Sequence, residues 1–233
     1  MSLPTVEVYS CVTGSYDNIS RTLLASDTLV EPNVSFTIYS DKFEKAGTHL
    51  CQKTGCCWNL KPLEWENKLC KKRTARWHKV NSHLVSKADY TVWVDGSQRS
   101  KKIGFYKDLV SKLSNDLSLF SFKHPQRSCV YQEMHACSKL NKDNPKLMRN
   151  QMERYRSEGY PAYNGLVETA CVVRKNCKEV TAFNKSWWEE LEKGSFRDQL
   201  SFNYAANLNN LSYGFIPGCR VRSPFFDFVQ HGR

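Results

Sequence analysis

The chain has 233 residues, with 34 Lys and Arg against 23 Asp and Glu, giving a formal net charge of +11. Hydrophobic residues make up 40% and aromatic residues 12%, enough to build a core, which excludes a disordered tail. No apolar run approaches the roughly 18 to 20 residues of a membrane span, and Met1-Ser2-Leu3-Pro4 has neither basic head nor hydrophobic segment, so no signal peptide and a soluble cytoplasmic protein are expected.

In chain order, Val6–Val12 reads as an apolar strand broken by the loop Thr13-Gly14-Ser15-Tyr16-Asp17-Asn18. Val34–Tyr39 is a second, β-branched and aromatic strand ending at Ser40-Asp41. Residues 43–65 read as irregular and Cys-rich, and the pattern turns helical over 66–87. Tyr90–Val94 is a third strand, ending at Asp95-Gly96-Ser97. Residues 103–115 read as helical, Leu117–Phe122 as a strand, and 129–158 as polar and helical with Pro145 as a break. Leu166–Arg174 is a strand, Thr181–Lys193 and Arg197–Asn207 are helices, and Tyr213–Ile216 is a last short strand before a tail over 218–233. Strands alternating with helices predict one α/β domain, a sandwich around a mainly parallel sheet.

The charge calls for anionic company or serves solubility. No run of five or six like charges marks a nucleic-acid tail, and none of the ten cysteines forms a CxxC pair, so free thiols are expected rather than bridges or zinc.

In open α/β sheets ligands bind beyond the carboxyl ends of the strands. Three such ends carry small or acidic residues here: Thr13-Gly14-Ser15-Tyr16-Asp17, Ser40-Asp41 and Asp95-Gly96-Ser97. Each one alone reads as a plain turn before it reads as a site; if the strands are parallel neighbours, the three meet at one rim. On the helix before the third strand, Arg73, Arg76, Lys79 and His83 are spaced by three, three and four residues and fall within about 120° of one face, beside Trp77, Val80 and Leu84. Such a stripe suits a diphosphate, or is a solvated basic face. Asp95 is placed to hold a divalent cation, Mn²⁺ or Mg²⁺, with His231 as a candidate second ligand. His124 and Arg127, after the fourth strand, suit a hydroxyl-rich or anionic ligand, unless Arg127 pairs with Glu133. Trp187 and Trp188 suit stacking on a sugar, or the core. Ser195 reads as the cap of the last helix with Asp198 in its first turn; alternatively Asp198 acts as a base or acceptor partner, with Gln199 beside it. No GxSxG, Walker or GxGxxG motif is present, which weakens hydrolase, NTPase and dinucleotide-binding readings.

Assembled in order, Tyr9-Ser10-Cys11-Val12-Thr13-Gly14-Ser15-Tyr16-Asp17, Trp93-Val94-Asp95-Gly96-Ser97, Lys123-His124-Pro125-Gln126-Arg127, Gly165-Leu166-Val167-Glu168, Trp187-Trp188-Glu189-Glu190 and Ser195-Phe196-Arg197-Asp198-Gln199-Leu200-Ser201-Phe202 resemble the glycosyltransferase-like domain of the plant turgor-regulation-defect and mucilage-related proteins. The likeness runs from about residue 5 to about 217. It implies a GT-A-type, Rossmann-like α/β/α sandwich that moves a sugar from a nucleotide diphosphate donor, UDP-linked, to a glycan hydroxyl. Plant members resemble Golgi enzymes, so a Golgi lumen location is implied if this is an anchor-free fragment. In that reading Thr13, Gly14, Tyr16, Asp17 and Asp41 hold the nucleoside, and Arg73, Arg76, Lys79 and His83 face the diphosphate. Asp95, Gly96 and Ser97 bind the nucleotide sugar, and Asp95, helped by Ser97, ligates the metal, although Ser97 stands where such enzymes carry a second Asp. Asp198 with Gln199, or else Glu168, serves the acceptor, and His124, Arg127, Trp187 and Trp188 hold sugar. The partners are thus a nucleotide sugar and a glycan, with no nucleic acid. The alternative is a non-catalytic glycan- or nucleotide-binding module on a degenerate transferase fold.

Overall fold

The computed structural model describes residues 2–14 and 16–230. The apolar runs become the middle of an eight-stranded sheet. β1 (Val6–Val12) is buried along nearly its whole length and pairs in parallel with β2 (Val34–Ser40) on one side. Beyond β2 lies an edge hairpin, β3 (Gly47–Leu50) and β4 (Cys57–Lys61), with β4 parallel to β2. The helical segment that follows is α1 (Lys71–Val80) and the single turn α2 (Ser82–Val85). β5 (Tyr90–Val94) pairs in parallel with the other side of β1. After it come β6 (Gln98–Ser100), β7 (Leu119–Lys123), α3 (Val130–Lys139), α4 (Pro145–Ser157) and β8 (Val167–Lys175). α5 (Lys178–Lys193), α6 (Gln199–Leu208), β9 (Gly214–Ile216) and β10 (Phe226–Phe228) complete the order. The sheet order is β3-β4-β2-β1-β5-β8-β7-β9; only β3 and β8 run against the other strands. This is the mainly parallel α/β architecture expected from the strand–helix alternation, and the Rossmann-like arrangement that the family resemblance implies.

The side-chain alternation of the central strands feeds a core on each face of the sheet. Val6, Val8, Phe36, Ile38, Val92 and Val94 pack on one face with Phe105 and Leu109. Tyr9, Cys11, Tyr39 and Trp93 pack on the other with Trp187 and Phe202 from α5 and α6. All ten cysteines are free.

The local differences from the sequence reading have identifiable causes. The stretch expected to be irregular holds the β3–β4 hairpin, whose β3 is exposed throughout and carries no burial periodicity to read. The helix expected from residue 66 begins at Lys71, because the Asn67 side chain accepts from the N–H groups of Leu69 and Cys70 and folds the preceding residues into a turn. Residues 103–115 form a π-helical turn (Phe105–Leu109) and a 3-10 turn (Val110–Lys112) instead of a regular helix. Between α3 and α4, Pro145 occupies the first helical position and Asn144 caps Lys146 and Leu147. The tail folds back beside the site segment: β10 pairs antiparallel with β6 in a separate two-stranded sheet, just past Asp95-Gly96-Ser97.

α1 is fixed to the sheet by a buried histidine. His78 Nδ1–H donates to Thr74 O at 2.9 Å, and its Nε2 accepts from Glu64 N–H at 3.1 Å, with the ring tilted on Tyr39. Burial, only partly offset by the Thr74 bond, pushes its pKa down to about 4. The folded state therefore resists a proton that the unfolded chain accepts near pH 6.5. The stabilisation is whole above that value and lost as pH falls towards 4, about 3 kcal/mol in all. Thermal midpoints recorded across this window should fall, and NMR should find the His78 imidazole titrating near the bottom of it. A His78 that titrates at the ordinary value would contradict this.

Candidate functional site

The carboxyl ends of β1, β2, β5 and β7 open on one rim, together with the amino end of antiparallel β8. α1 lies along it. Asp95 leaves β5 with its side chain 26% exposed; its Oδ1 accepts from Trp93 Nε1 at 2.7 Å and from Lys79 Nζ at 3.2 Å. Lys79 comes from α1 and is 1% exposed. Its ammonium also meets Asp198 Oδ2 at 2.5 Å. Thr169, on β8, donates to the same Oδ2 at 2.7 Å. Arg76, one turn before Lys79, places Nε 3.2 Å from Asp198 Oδ1 in an ion pair that lacks hydrogen-bond alignment. Burial alone would raise the Asp198 carboxyl, but the charges of Arg76, Lys79 and Arg197 outweigh it and hold the group well below the usual carboxylate range. The result is a buried ladder, Asp95–Lys79–Asp198–Arg76, that binds α1 to the start of α6 and to β5.

The β1 loop joins this ladder. Tyr16 is 60% exposed, and Tyr16 and Asp17 lie close enough to Arg76 to favour its charge, behind Asp198 and Asp95. Gly96 packs so closely on this loop that an added Cβ would come within 2.8 Å of Asp17 Oδ2. Gly14, at φ +65°, points its N–H at Asp41, which also pairs with Lys71 at 2.7 Å, and Thr13 donates to Lys71 O. Burial would raise the Asp41 pKa, but the Lys71 and Gly14 bonds lower it. Asp41 thus holds the loop to α1.

Other expected residues are placed elsewhere. Arg73 turns to the far end of α5, where its guanidinium donates to Leu191 O and to Gly194 O, a cation on a helix C-terminus. His83 sits beyond the break at Asn81, which ends α1 before the stripe reaches it, and its Nδ1 lies 3.3 Å from Asn184 Nδ2. Burial first, then the charges of Arg174, Lys185 and Lys87, lower its pKa. The four-residue stripe is therefore divided, with only Arg76 and Lys79 at the rim. Trp187 is 0% exposed, donates to Asp198 O and packs on Phe202, so it is a core residue closed to a sugar. Trp188 is half-buried, edge-on to Trp65. Arg127 pairs with Glu133 at 2.6 Å, and His124 lies 3.5 Å from the same carboxylate, with Nδ1 accepting from Arg127 N–H. Glu168, with its side chain 15% exposed, pairs with Arg220 of the tail and accepts from its N–H at 2.8 Å. Gln199 donates to Val167 O. Ser195 does not cap α6: it donates to Asp143, accepts from Arg197 N–H, and the helix starts only at Gln199.

Sequence reasoning passed over Thr169, Arg174 and Arg220. Thr169 and Arg174 were visible as polar residues inside an apolar strand. Arg174, 1% exposed, caps the end of α1 by donating to Lys79 O at 2.7 Å and Val80 O at 3.3 Å.

A divalent cation is poorly served. Among the described residues no group of three His, Cys, Asp or Glu side chains is arranged for a metal. The carboxylate in the expected position, Asp95, is already bonded to Lys79 and Trp93, and Ser97 is 3% exposed. His231 lies outside the described residues. No helix among the described residues is long and apolar enough to cross a membrane.

No curated protein is similar enough to match the chain. The family model described as TOD1/MUCI70, glycosyltransferase-like domain, matches residues 1–222, and the chain belongs to that family.

Proposed function

We propose that the chain transfers a sugar from a nucleoside diphosphate donor, UDP-linked, to a glycan hydroxyl. Family membership supports the class; the observation that carries the site is the ladder in which Lys79 and Arg76 are held between Asp95 and Asp198 at the strand ends. In the reaction the acceptor oxygen bonds to the anomeric carbon as the bond to the diphosphate breaks. The acceptor proton leaves to a base, and the diphosphate departs with the negative charge. Arg76, 21% exposed, and the ammonium of Lys79 are the cations beside that charge, while the Thr13–Asp17 loop holds the nucleoside. Asp198 is a positioning residue: both oxygens are engaged and its low pKa makes it a poor base. Of the two carboxylates expected to serve the acceptor, Glu168 keeps the better access.

With Lys79 seated on Asp95, this reading has no metal step. UDP should raise the thermal midpoint by mass action, equally in EDTA and in Mn²⁺. Arg76→Ala should weaken UDP binding about tenfold, as expected for loss of one charge-assisted contact. If no nucleotide or nucleotide sugar shifts the midpoint, the donor reading fails. The same Lys79–Asp95 bond also favours a binding module without turnover; slow release of UDP from a UDP-sugar without acceptor separates the two.

A further inference from the structure

Outside the ladder, the tip of the β3–β4 hairpin brings two cysteines face to face. Leu50 and Cys57 are the last pair in register between the two antiparallel strands. The pairing continues one step into the turn: Cys51 N–H donates to Cys56 O at 2.9 Å, and Gly55 N–H donates to Cys51 O at 2.8 Å. Opposed residues of an antiparallel pair share a face and stand about 4.5–5.5 Å apart at Cα, inside the range of about 4.4–6.8 Å that disulfides span. Both side chains accordingly meet one cluster. Cys56, 2% exposed, belongs to the core with Phe36 and Trp58, and half-buried Cys51 packs against it. Cys57, the next residue along β4, is exposed, as strand alternation requires. The two thiols differ in their surroundings. The Thr54 hydroxyl accepts from Cys56 N–H at 3.2 Å and donates to the Cys51 sulfur. That bond first, then the N–H groups of Thr54 and Lys53, outweigh slight burial and the Asp27 charge and hold the Cys51 thiol below its ordinary value. Burial, with the charges of Cys51 and Cys57, pushes Cys56 up to about 12. The turn itself is anchored, with Lys53 paired to Asp27 at 2.6 Å and Gly55 at φ +70°.

We propose that Cys51 and Cys56 form a reversible dithiol–disulfide site, with Cys51 as the attacking thiolate and Cys56 as the resolving thiol. The oxidant is a low-molecular-weight disulfide such as oxidised glutathione. The Cys51 thiolate attacks one of its sulfurs, so that a mixed disulfide forms on Cys51 while the S–S bond of the oxidant breaks and one glutathione thiolate leaves. That thiolate takes up the proton Cys51 has given to water. The Cys56 sulfur then attacks Cys51 Sγ, the mixed disulfide breaks, and the second glutathione leaves with the Cys56 proton. Two electrons and two protons pass from the protein to the oxidant, which is reduced to two glutathione thiols. A dithiol reductant reverses both steps. Neither cysteine belongs to the ladder, so the site stands apart from the donor reading.

The test is peptide mapping by mass spectrometry of the whole folded chain after exposure to oxidised glutathione without denaturant, before and after dithiothreitol. It compares the parent with Cys51→Ser, Cys56→Ala and Cys57→Ser. Trypsin cuts after Lys53, between the two cysteines, so a Cys51–Cys56 bridge holds together two peptides that reduction releases. The parent and Cys57→Ser are expected to lose both thiols and yield that linked pair. Cys56→Ala is expected to stop at one glutathione held on Cys51, and Cys51→Ser to leave Cys56 unmodified. The parent map alone decides the pairing. The proposal is overturned if the parent keeps both thiols, if Cys51 bridges to a cysteine other than Cys56, or if Cys56→Ala collects no adduct on Cys51. Bridging that appears only in denaturant overturns it too, because the geometry that selects this pair is that of the folded hairpin.

Discussion

Asp198→Asn should destabilise the fold by about 3–5 kcal/mol, the usual cost of removing one partner from a buried ion pair. In a domain of this size that lowers the thermal midpoint by on the order of 10 °C. The substitution keeps shape and leaves an oxygen able to accept from Thr169. What it removes is the charge facing Lys79, 1% exposed, and Arg76, 21% exposed. Lys79 then retains Asp95 at 3.2 Å, and Arg76 loses its ion-pair partner. The pH dependence follows from the depressed pKa. A carboxyl that ionises more readily folded than unfolded contributes its stability in full above the unfolded value, near 4, and loses it only as pH falls through the lower folded value. The gap between parent and variant should therefore be constant from neutral pH down to about 5 and close only in stronger acid. Thr169→Val, which removes one hydrogen bond and no charge, should cost about 1 kcal/mol. Denaturant unfolding of the three proteins settles the ranking. If Asp198→Asn unfolds with the parent, the ladder does not hold α1 to α6.

How far this ladder was legible in sequence depends on the range of each contact. Tyr90–Val94 announced its own strand end because an apolar run followed by Asp95-Gly96 needs no distant information. The three-residue step from Arg76 to Lys79 likewise put both cations on one side of α1. What helical spacing could not supply is the element that covers that side. Arg73 shares the periodicity, yet it is captured by carbonyls of α5 more than a hundred residues later. Asp198 carried a strong local reading as a helix-start residue, and it does occupy that position, but its side chain makes no cap and is taken up by cations of α1. Adjacent tryptophans left open a sugar platform or the core; the helical rotation between Trp187 and Trp188 sends the first into the core and leaves the second half-buried. Residues whose partners lie on the same element were readable, and those whose partners come from an element distant in the chain were not.

Gly96→Ala tests whether the β1 and β5 loops share one ligand. Gly96 is buried, and a Cβ there would lie 2.7 Å from Val12 Cγ2 and 2.8 Å from Asp17 Oδ2. The glycine serves close approach of two strand ends rather than a special backbone angle. Overpacking of this kind costs about 1–3 kcal/mol, and relief requires the Val12–Asp17 segment to move away from Asp95. In the proposed reading that segment holds the nucleoside while Arg76 and Lys79 face the diphosphate, so a small separation misaligns both halves of one donor. UDP affinity should fall about tenfold or more, because each 1.4 kcal/mol of lost complementarity is a factor of ten. Gly47→Ala, on the exposed edge strand where a Cβ meets nothing within 4 Å, should leave stability and UDP affinity unchanged. A Gly96→Ala protein that melts earlier but binds UDP as the parent does would mean that the loops touch without sharing a ligand, and the donor would have to lie elsewhere on the rim.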